Sequence, residues 1–162
     1  VNAVNAVNAV NAVNAVNAVN AVNAVNAESA PGADALHALL HATLREYIDA
    51  IAAVDPDRIA ATFAADGELE DPVGSEVYRG RDTICAYFAN GLARMFTKLE
   101  IDVVAALPSG SRIAAYWTMR ARDVAGGHGT AQGIDVLYVN ASGEITRSEG
   151  YWDPAAFRAS VR

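Results

Sequence analysis

The chain has 162 residues, a formal net charge of −7, 52% hydrophobic residues and a single cysteine, Cys85. An acidic balance without a basic stripe argues against nucleic acid and anionic membrane as partners, and no apolar run approaches the ~18 residues that span a bilayer. One cysteine excludes an internal disulfide and a cysteine-based metal cluster; with no charged-then-apolar leader, the expected compartment is cytoplasmic.

Residues 1–27 are nine copies of Val-Asn-Ala. A period of three matches neither a strand nor a helix, so no apolar face forms, and Val and Asn are mediocre helix formers. Residues 1–32 are expected to be a low-complexity arm and linker, flexible in solution. Residues 33–162 have the length of a single domain with one core.

The first helix is expected from about Asp34, as N-cap, to Ala53. Leu36, Leu39, Leu40, Leu44, Tyr47, Ile48 and Ile51 recur at spacings of three and four and make one apolar stripe. Tyr47 lies inside that stripe, where a buried hydroxyl needs a partner. His37 and His41 are four apart, but no third ligand accompanies them, and they read as a solvated face. Asp55-Pro56 is an N-cap followed by proline at the first helical position. It opens a short second helix with Ile59, Thr62 and Phe63 inward, ended by Asp66-Gly67.

The run Glu68-Leu69-Glu70-Asp71-Pro72-Val73-Gly74 carries the first chemistry. In a strand, Leu69 and Asp71 share one face. Pro72 cannot donate to a sheet ladder, so the strand stops there, and Val73-Gly74 turns the chain. Asp71 is parked at a strand end beside apolar surface, where burial raises its pKa. That is the condition for a general base near neutral pH, although an ordinary strand-ending Asp before proline fits the same residues. Tyr78-Arg79-Gly80-Arg81 leads into a third helix, about Asp82 to Asn90, with Ile84, Cys85, Tyr87 and Phe88. Cys85 has no histidine nearby and reads as a small core residue.

Long strands follow at Leu99–Leu107, Arg112–Arg122, Thr130–Val139 and Glu144–Asp153, separated by the turns Pro108-Ser109-Gly110, Ala125-Gly126-Gly127 and Asn140-Ala141-Ser142-Gly143. Three hairpin connections in a row predict an antiparallel meander. Helices followed by strands make the fold α+β, with three helices packed on one face of a curved, mainly antiparallel sheet. Asp135 shares a face with Leu137 and Val139, and the other face carries Ile134, Val136 and Tyr138. With little access to water, its carboxyl needs a partner or must keep its proton. Trp117, Met119 and Trp152 on neighbouring strands can supply an apolar wall. Tyr47, Asp71 and Asp135 are thus three polar groups on apolar surfaces, and two carboxyls in one cavity have their pKa values pushed apart.

At these residues the sequence resembles the bacterial Δ5-3-ketosteroid isomerases of the NTF2-like, SnoaL-like fold. The matching residues are Tyr47-Ile48, Phe63 through Gly74, Gly80-Arg81, Ile134-Asp135-Val136, Asn140 through Ile145 and Tyr151-Trp152. The resemblance covers nearly all of residues 36–153. It implies a curved sheet around a deep conical pocket, a homodimer, and no cofactor or metal. By position, Asp71 is implied to be the base that moves a proton from the carbon α to a ketone to the γ carbon. Tyr47 and a protonated Asp135 are implied to hydrogen-bond the dienolate oxygen; this is the established logic of that family. Trp152, Phe88, Trp117, Met119 and Phe63 are the implied substrate-binding residues, for a hydrophobic steroid or polyketide.

The sequence departs from the family on the third helix. Phe88 stands where a tyrosine commonly supports the oxyanion tyrosine, with Tyr87 beside it, and Phe63 stands where some members have tyrosine. The same fold hosts epoxide hydrolases and cyclases of polyether biosynthesis, which pair the Asp with a second acid; Glu100 or Asp102 are candidates for it. Other relatives bind ligands without catalysis, and fold alone does not decide among these readings.

Overall fold

The computed structural model describes residues 32–162. The Val-Asn-Ala repeat, expected as a flexible arm, lies outside the described residues. Among the described residues eleven elements follow one another: α1 (Ala33–Ala52), α2 (Pro56–Ala61), β1 (Phe63–Glu70), β2 (Val77–Arg79), α3 (Arg81–Asn90), α4 (Leu92–Met95), β3 (Phe96–Ser109), β4 (Arg112–Asp123), β5 (His128–Val139), β6 (Ile145–Trp152) and α5 (Pro154–Ser160). Among the described residues no helix is long and apolar enough to cross a membrane.

The six strands form one sheet in the order β2-β1-β6-β5-β4-β3. The expected meander is present: β3 with β4, β4 with β5 and β5 with β6 are all antiparallel. β1 and β6 are parallel, far apart in sequence, and make the sheet mixed. Tight turns close the hairpins with glycines at positive φ, Gly110 at 56°, Gly126 at 92° and Gly143 at 83°, a region glycine enters without the cost of a Cβ.

α1 buries Leu40, Leu44, Tyr47 and Ile48, as the helical period of its apolar residues requires. His37 and His41 are exposed. Asp34 falls in the first turn rather than at the cap. Asp55 caps α2, its carboxyl accepting from the Arg58 amide at 3.0 Å. α2 is shorter than expected. Thr62 closes it, its hydroxyl donating to the Ile59 carbonyl at 2.7 Å, and Phe63 already belongs to β1, opposite Ile145 of β6. Long-range pairing therefore takes residues that the local pattern assigned to the helix.

Three elements were not anticipated near the site: β2, the one-turn helix α4, and α5. β2 is a short edge strand paired with the end of β1. α5 starts at Asp153-Pro154, where the Asp153 carboxyl accepts from the amides of Ala155 and Ala156. The same Asp-Pro signal that opens α2 opens this helix.

Candidate functional site

A cavity of about 380 Å³ lies between the inner face of the sheet and the helices, bounded by side chains of α1, α3, α4, β3, β4, β5, β6 and α5. That is an ordinary size for a small-molecule site. Its wall is apolar and aromatic, and three charged side chains reach it: Asp71, Asp135 and Arg158.

Asp71 immediately follows β1. Alternation along the strand turns Leu69 inward, fully buried, and Glu68 and Glu70 outward. The turn after it is pinned by the Val73 amide on the Gly150 carbonyl at 2.7 Å and the Gly74 amide on Glu70 Oε1 at 2.8 Å. Two side chains reach the Asp71 carboxyl. Trp152 Nε1 donates to Oδ1. The Tyr87 hydroxyl lies 2.8 Å from the Asp71 main-chain oxygen and 3.3 Å from Oδ2. Burial pushes the Asp71 pKa above the ordinary value, and the donors Trp152 and Tyr87 pull it back.

Asp135 sits mid-strand in β5, opposite Ala115 on one side and Gly150 on the other. Small neighbours leave room for its side chain, which is 8% exposed as a residue. Its pKa is pushed up to about 7, first by burial and then by the charge of Asp71. The Trp117 indole opposes that rise, yet Trp117 Nε1 is buried without meeting hydrogen-bond geometry to any described group. Tyr47 is buried too, and burial followed by the charges of Asp135 and Asp71 drives its hydroxyl well above the usual tyrosine range. Ser148 beside it counteracts, though its own buried hydroxyl also meets no hydrogen-bond geometry.

The three expected polar groups are therefore brought into one cavity, together with Trp117, Met119, Trp152 and Phe88. Phe63 is the correction: it does not line the cavity. It is fully buried at the start of β1 and packs edge-on behind the Tyr47 ring, with centroids 5.9 Å apart. Glu100 and Asp102 are a second correction. Both are exposed and paired with Arg120 at 3.2 Å, away from the cavity wall.

Sequence reasoning missed three contributors. Gly150 is one: a Cβ there would lie 2.5 Å from Asp71 Oδ1 and 3.5 Å from Asp135 Oδ1. Only a residue without a side chain lets both carboxyls converge over β6. Tyr87 is the second; its place one residue before Phe88 was visible, but its direction toward Asp71 was not. The third is α5, which brings Phe157 and Arg158 to the cavity and was signalled by Asp153-Pro154.

Comparison with known proteins places this arrangement in context. Residues 44–148 match the family model of the SnoaL-like domain. The chain is 33% identical over 119 residues to the steroid Δ-isomerase of Nocardioides simplex, covering 74% of this chain and 94% of that protein. Among solved structures, the Δ5-3-ketosteroid isomerase of a Mycobacterium species superposes with a TM-score of 0.64 at 21% identity, covering 76% of this chain and 97% of that one. A Mycobacterium tuberculosis protein solved in complex with estradiol-17β-hemisuccinate gives a TM-score of 0.64 at 22% identity, covering 73% and 95%. At these identities the structural likeness speaks for the fold, which is the NTF2-like, ketosteroid-isomerase-like one.

Proposed function

The chain belongs to the SnoaL-like domain family, and within that family we propose that it is a cofactor-independent isomerase of the steroid Δ-isomerase kind. It moves a double bond into conjugation with a ketone by carrying one proton from the α to the γ carbon through a dienolate. The observation that supports this reading most is the unequal treatment of two carboxyls in one apolar cavity. Asp71 has two donors that favour its ionised form, as a base requires. Asp135 has burial and a neighbouring negative charge that favour its protonated form, as a donor requires.

In this scheme the substrate ketone lies against Tyr47 and protonated Asp135. Asp71 takes the α proton; the C–H electron pair moves into the dienolate, whose oxygen receives two hydrogen bonds. Asp71 then returns the same proton at the γ carbon and is again a carboxylate. Donors preset where charge develops lower the barrier without reorganising. The similarity to a steroid Δ-isomerase supports a fused-ring ketone as substrate, and the largely apolar wall accommodates a polyketide equally.

The outer face of the sheet supports self-association. Tyr116, Ile134 and Tyr151 are cross-strand neighbours in one row and are 37%, 45% and 47% exposed. A contiguous apolar row on a sheet face marks an interaction surface; we assign it to a second copy, and a monomer in sedimentation would remove that assignment.

The test is conversion of 5-androstene-3,17-dione, followed by absorbance of the conjugated product, with binding of the phenolic steroid equilenin measured alongside. Turnover is expected, and equilenin affinity should fall by about 1–3 kcal/mol in Tyr47→Phe, the scale of a hydrogen bond to a charged group. Equilenin binding without turnover would make the chain a ligand-binding member of the family. Failure of both, with an epoxide substrate accepted, would assign the two carboxyls to acid–base ring opening instead.

A further inference from the structure

Resting on Asp71 as the base, we propose that the Tyr87 hydroxyl is a positioning group that follows the protonation of Asp71, donating to Oδ2 when the carboxyl is ionised and to the Asp71 main-chain carbonyl when Oδ2 holds the shuttled proton.

The geometry behind this is a single phenol proton shared between two acceptors of one residue. The hydroxyl oxygen of Tyr87 lies 2.8 Å from the Asp71 carbonyl oxygen and 3.3 Å from Oδ2. A phenol has one proton to donate and lone pairs to accept, so it serves one of these oxygens fully at a time. The two carboxyl oxygens are not equivalent. Oδ1 receives the Trp152 indole N–H, a group that donates and never accepts. A proton placed on Oδ1 would face another donor. Oδ2 faces a hydroxyl, which changes role by rotating about its C–O bond. The proton taken from carbon is therefore carried on Oδ2. During transfer the substrate C–H bond breaks, its electron pair enters the dienolate, and Oδ2–H forms. Tyr87 turns its proton to the carbonyl and accepts from Oδ2–H. On return, Oδ2–H breaks, the γ C–H forms, and Tyr87 swings back. The Tyr87 O–H bond is never broken.

The ring is held for this task. It packs at a tilt of 40° against Tyr78 of β2, with centroids 4.6 Å apart, and sits edge-on to Phe88 at 5.1 Å. Only the hydroxyl rotor is left free. The titratable and charged groups around Asp71 are Tyr87 and, beyond it, Tyr78; Asp135 from β5; Tyr47 from α1; and Arg158 of α5, which lines the same cavity. Tyr87 is the one of these within hydrogen-bond reach of the Asp71 carboxyl. Phe88 also lines the cavity but lacks a hydroxyl, so the α3 phenol at the cavity is that of Tyr87. The helix spends its phenol on the base.

The test titrates Asp71 directly in the full chain, by carboxyl carbon-13 NMR, together with the pH profile of kcat/KM. Tyr87→Phe removes the donor and keeps the ring. Its Asp71 midpoint and the acid limb of its profile should both rise by about half to one pH unit, because the ionised form has lost a hydrogen bond. Ring-fluorinated tyrosine at position 87, a stronger donor, should move both downward. Tyr78→Phe removes the neighbouring ring's hydroxyl, which makes no hydrogen bond to an Asp71 oxygen, and should leave the midpoint in place. An unmoved midpoint in Tyr87→Phe overturns the proposal, even if turnover drops. The NMR midpoint needs no turnover. A wild-type chain that isomerises nothing, with the Tyr87 shifts intact, counts against the isomerase reading and not against the coupling of Tyr87 to Asp71.

Discussion

The two faces of the β1–β6 pair both gather acidic side chains and treat them oppositely. On the outer face, Glu68, Glu70 and Glu149 each accept from one guanidinium, that of Arg147, at 2.7 Å. Arg79 and then Arg147 hold Glu68 below the usual carboxylate range, and Arg147 does the same for Glu149. On the inner face, Asp71 and Asp135 share an apolar cavity with indoles and phenols, and both are pushed upward. Residue type is nearly the same on the two faces; the environment differs by the guanidiniums paired with the outer carboxylates, those of Arg147 and Arg79, and by access to water. A compensated carboxylate is a structural group. A buried one without a cation is shifted toward holding its proton, and such shifts gather at sites of proton transfer.

The strongest way to break this contrast is to neutralise one carboxyl from each face at adjacent positions. Asp71→Asn keeps shape and removes the proposed base, and turnover should fall by up to about 10,000-fold, the upper end for a general base. Binding of a phenolic mimic should stay intact or improve, because a negative charge near the ligand is gone. Glu70→Gln, one residue away on the other face, should stay within about threefold, since its side chain faces away from the cavity and a glutamine oxygen still accepts from the Gly74 amide. Steady-state isomerisation rates check both. Near-normal turnover in Asp71→Asn would place the base elsewhere and end the mechanism proposed here.

Next in size is Asp135, where the two inner carboxyls are told apart. Asp135→Ala should cost about 100- to 1000-fold in turnover, as losing one oxyanion donor does. Asp135→Asn keeps a donor and should cost less. Equal damage in the two variants would mean that the residue works as a carboxylate, which favours a ring-opening acid–base pair.

Most of this site is readable from alternation and spacing, and what is not readable is non-local. The period of two places Leu69 and Asp71 inward and Glu68 and Glu70 outward, and the 3.6 period places Tyr47 on the buried stripe of α1. Three glycine turns give the meander. The parallel pairing of β1 with β6 joins residues nearly eighty apart and leaves no local mark, yet it sets Asp71 beside Gly150 and Trp152. The same pairing takes Phe63 out of the expected helix and hides it behind Tyr47. Tyr87 and Phe88 are adjacent on α3, so a sequence cannot say which ring reaches Asp71. Only the docking of the helix on the strand ends decides that.

Asp135 also sharpens the contrast through stability. Its pKa of about 7 in the folded chain lies above its unfolded value of about 3.9. Folding therefore favours the protonated form. That contribution is complete below about pH 4 and is lost as pH rises to about 7. Asp135→Asn removes the titration. It should leave the protein more stable than wild type by about 2–4 kcal/mol at pH 8, with the gap closing toward pH 4. Urea unfolding across that range checks the slope.

The smallest effect belongs to the outer face, and its sign is opposite. Arg147→Met removes the guanidinium that gathers three glutamates. The lowered pKa values of Glu68 and Glu149 mean that folding favours their charged forms. This stabilisation is present above the unfolded value of about 4.3 and is lost as pH falls through the folded values. The magnitude is limited by water. The Arg147 side chain is 31% exposed and that of Glu68 is 29% exposed, and Glu68 keeps its 2.8 Å bond to Arg79. A loss of about 1–2 kcal/mol at pH 7 is expected, between the values for exposed and buried pairs, shrinking as the glutamates take up protons. Isomerase turnover at the same pH should not move, because Arg147 points away from the cavity while Ser148 and Gly150 on the same strand are buried. A variant that loses turnover while keeping its fold would show that the outer network sets the position of β6, and with it the approach of Gly150 to both carboxyls. The two faces would then be one device rather than two.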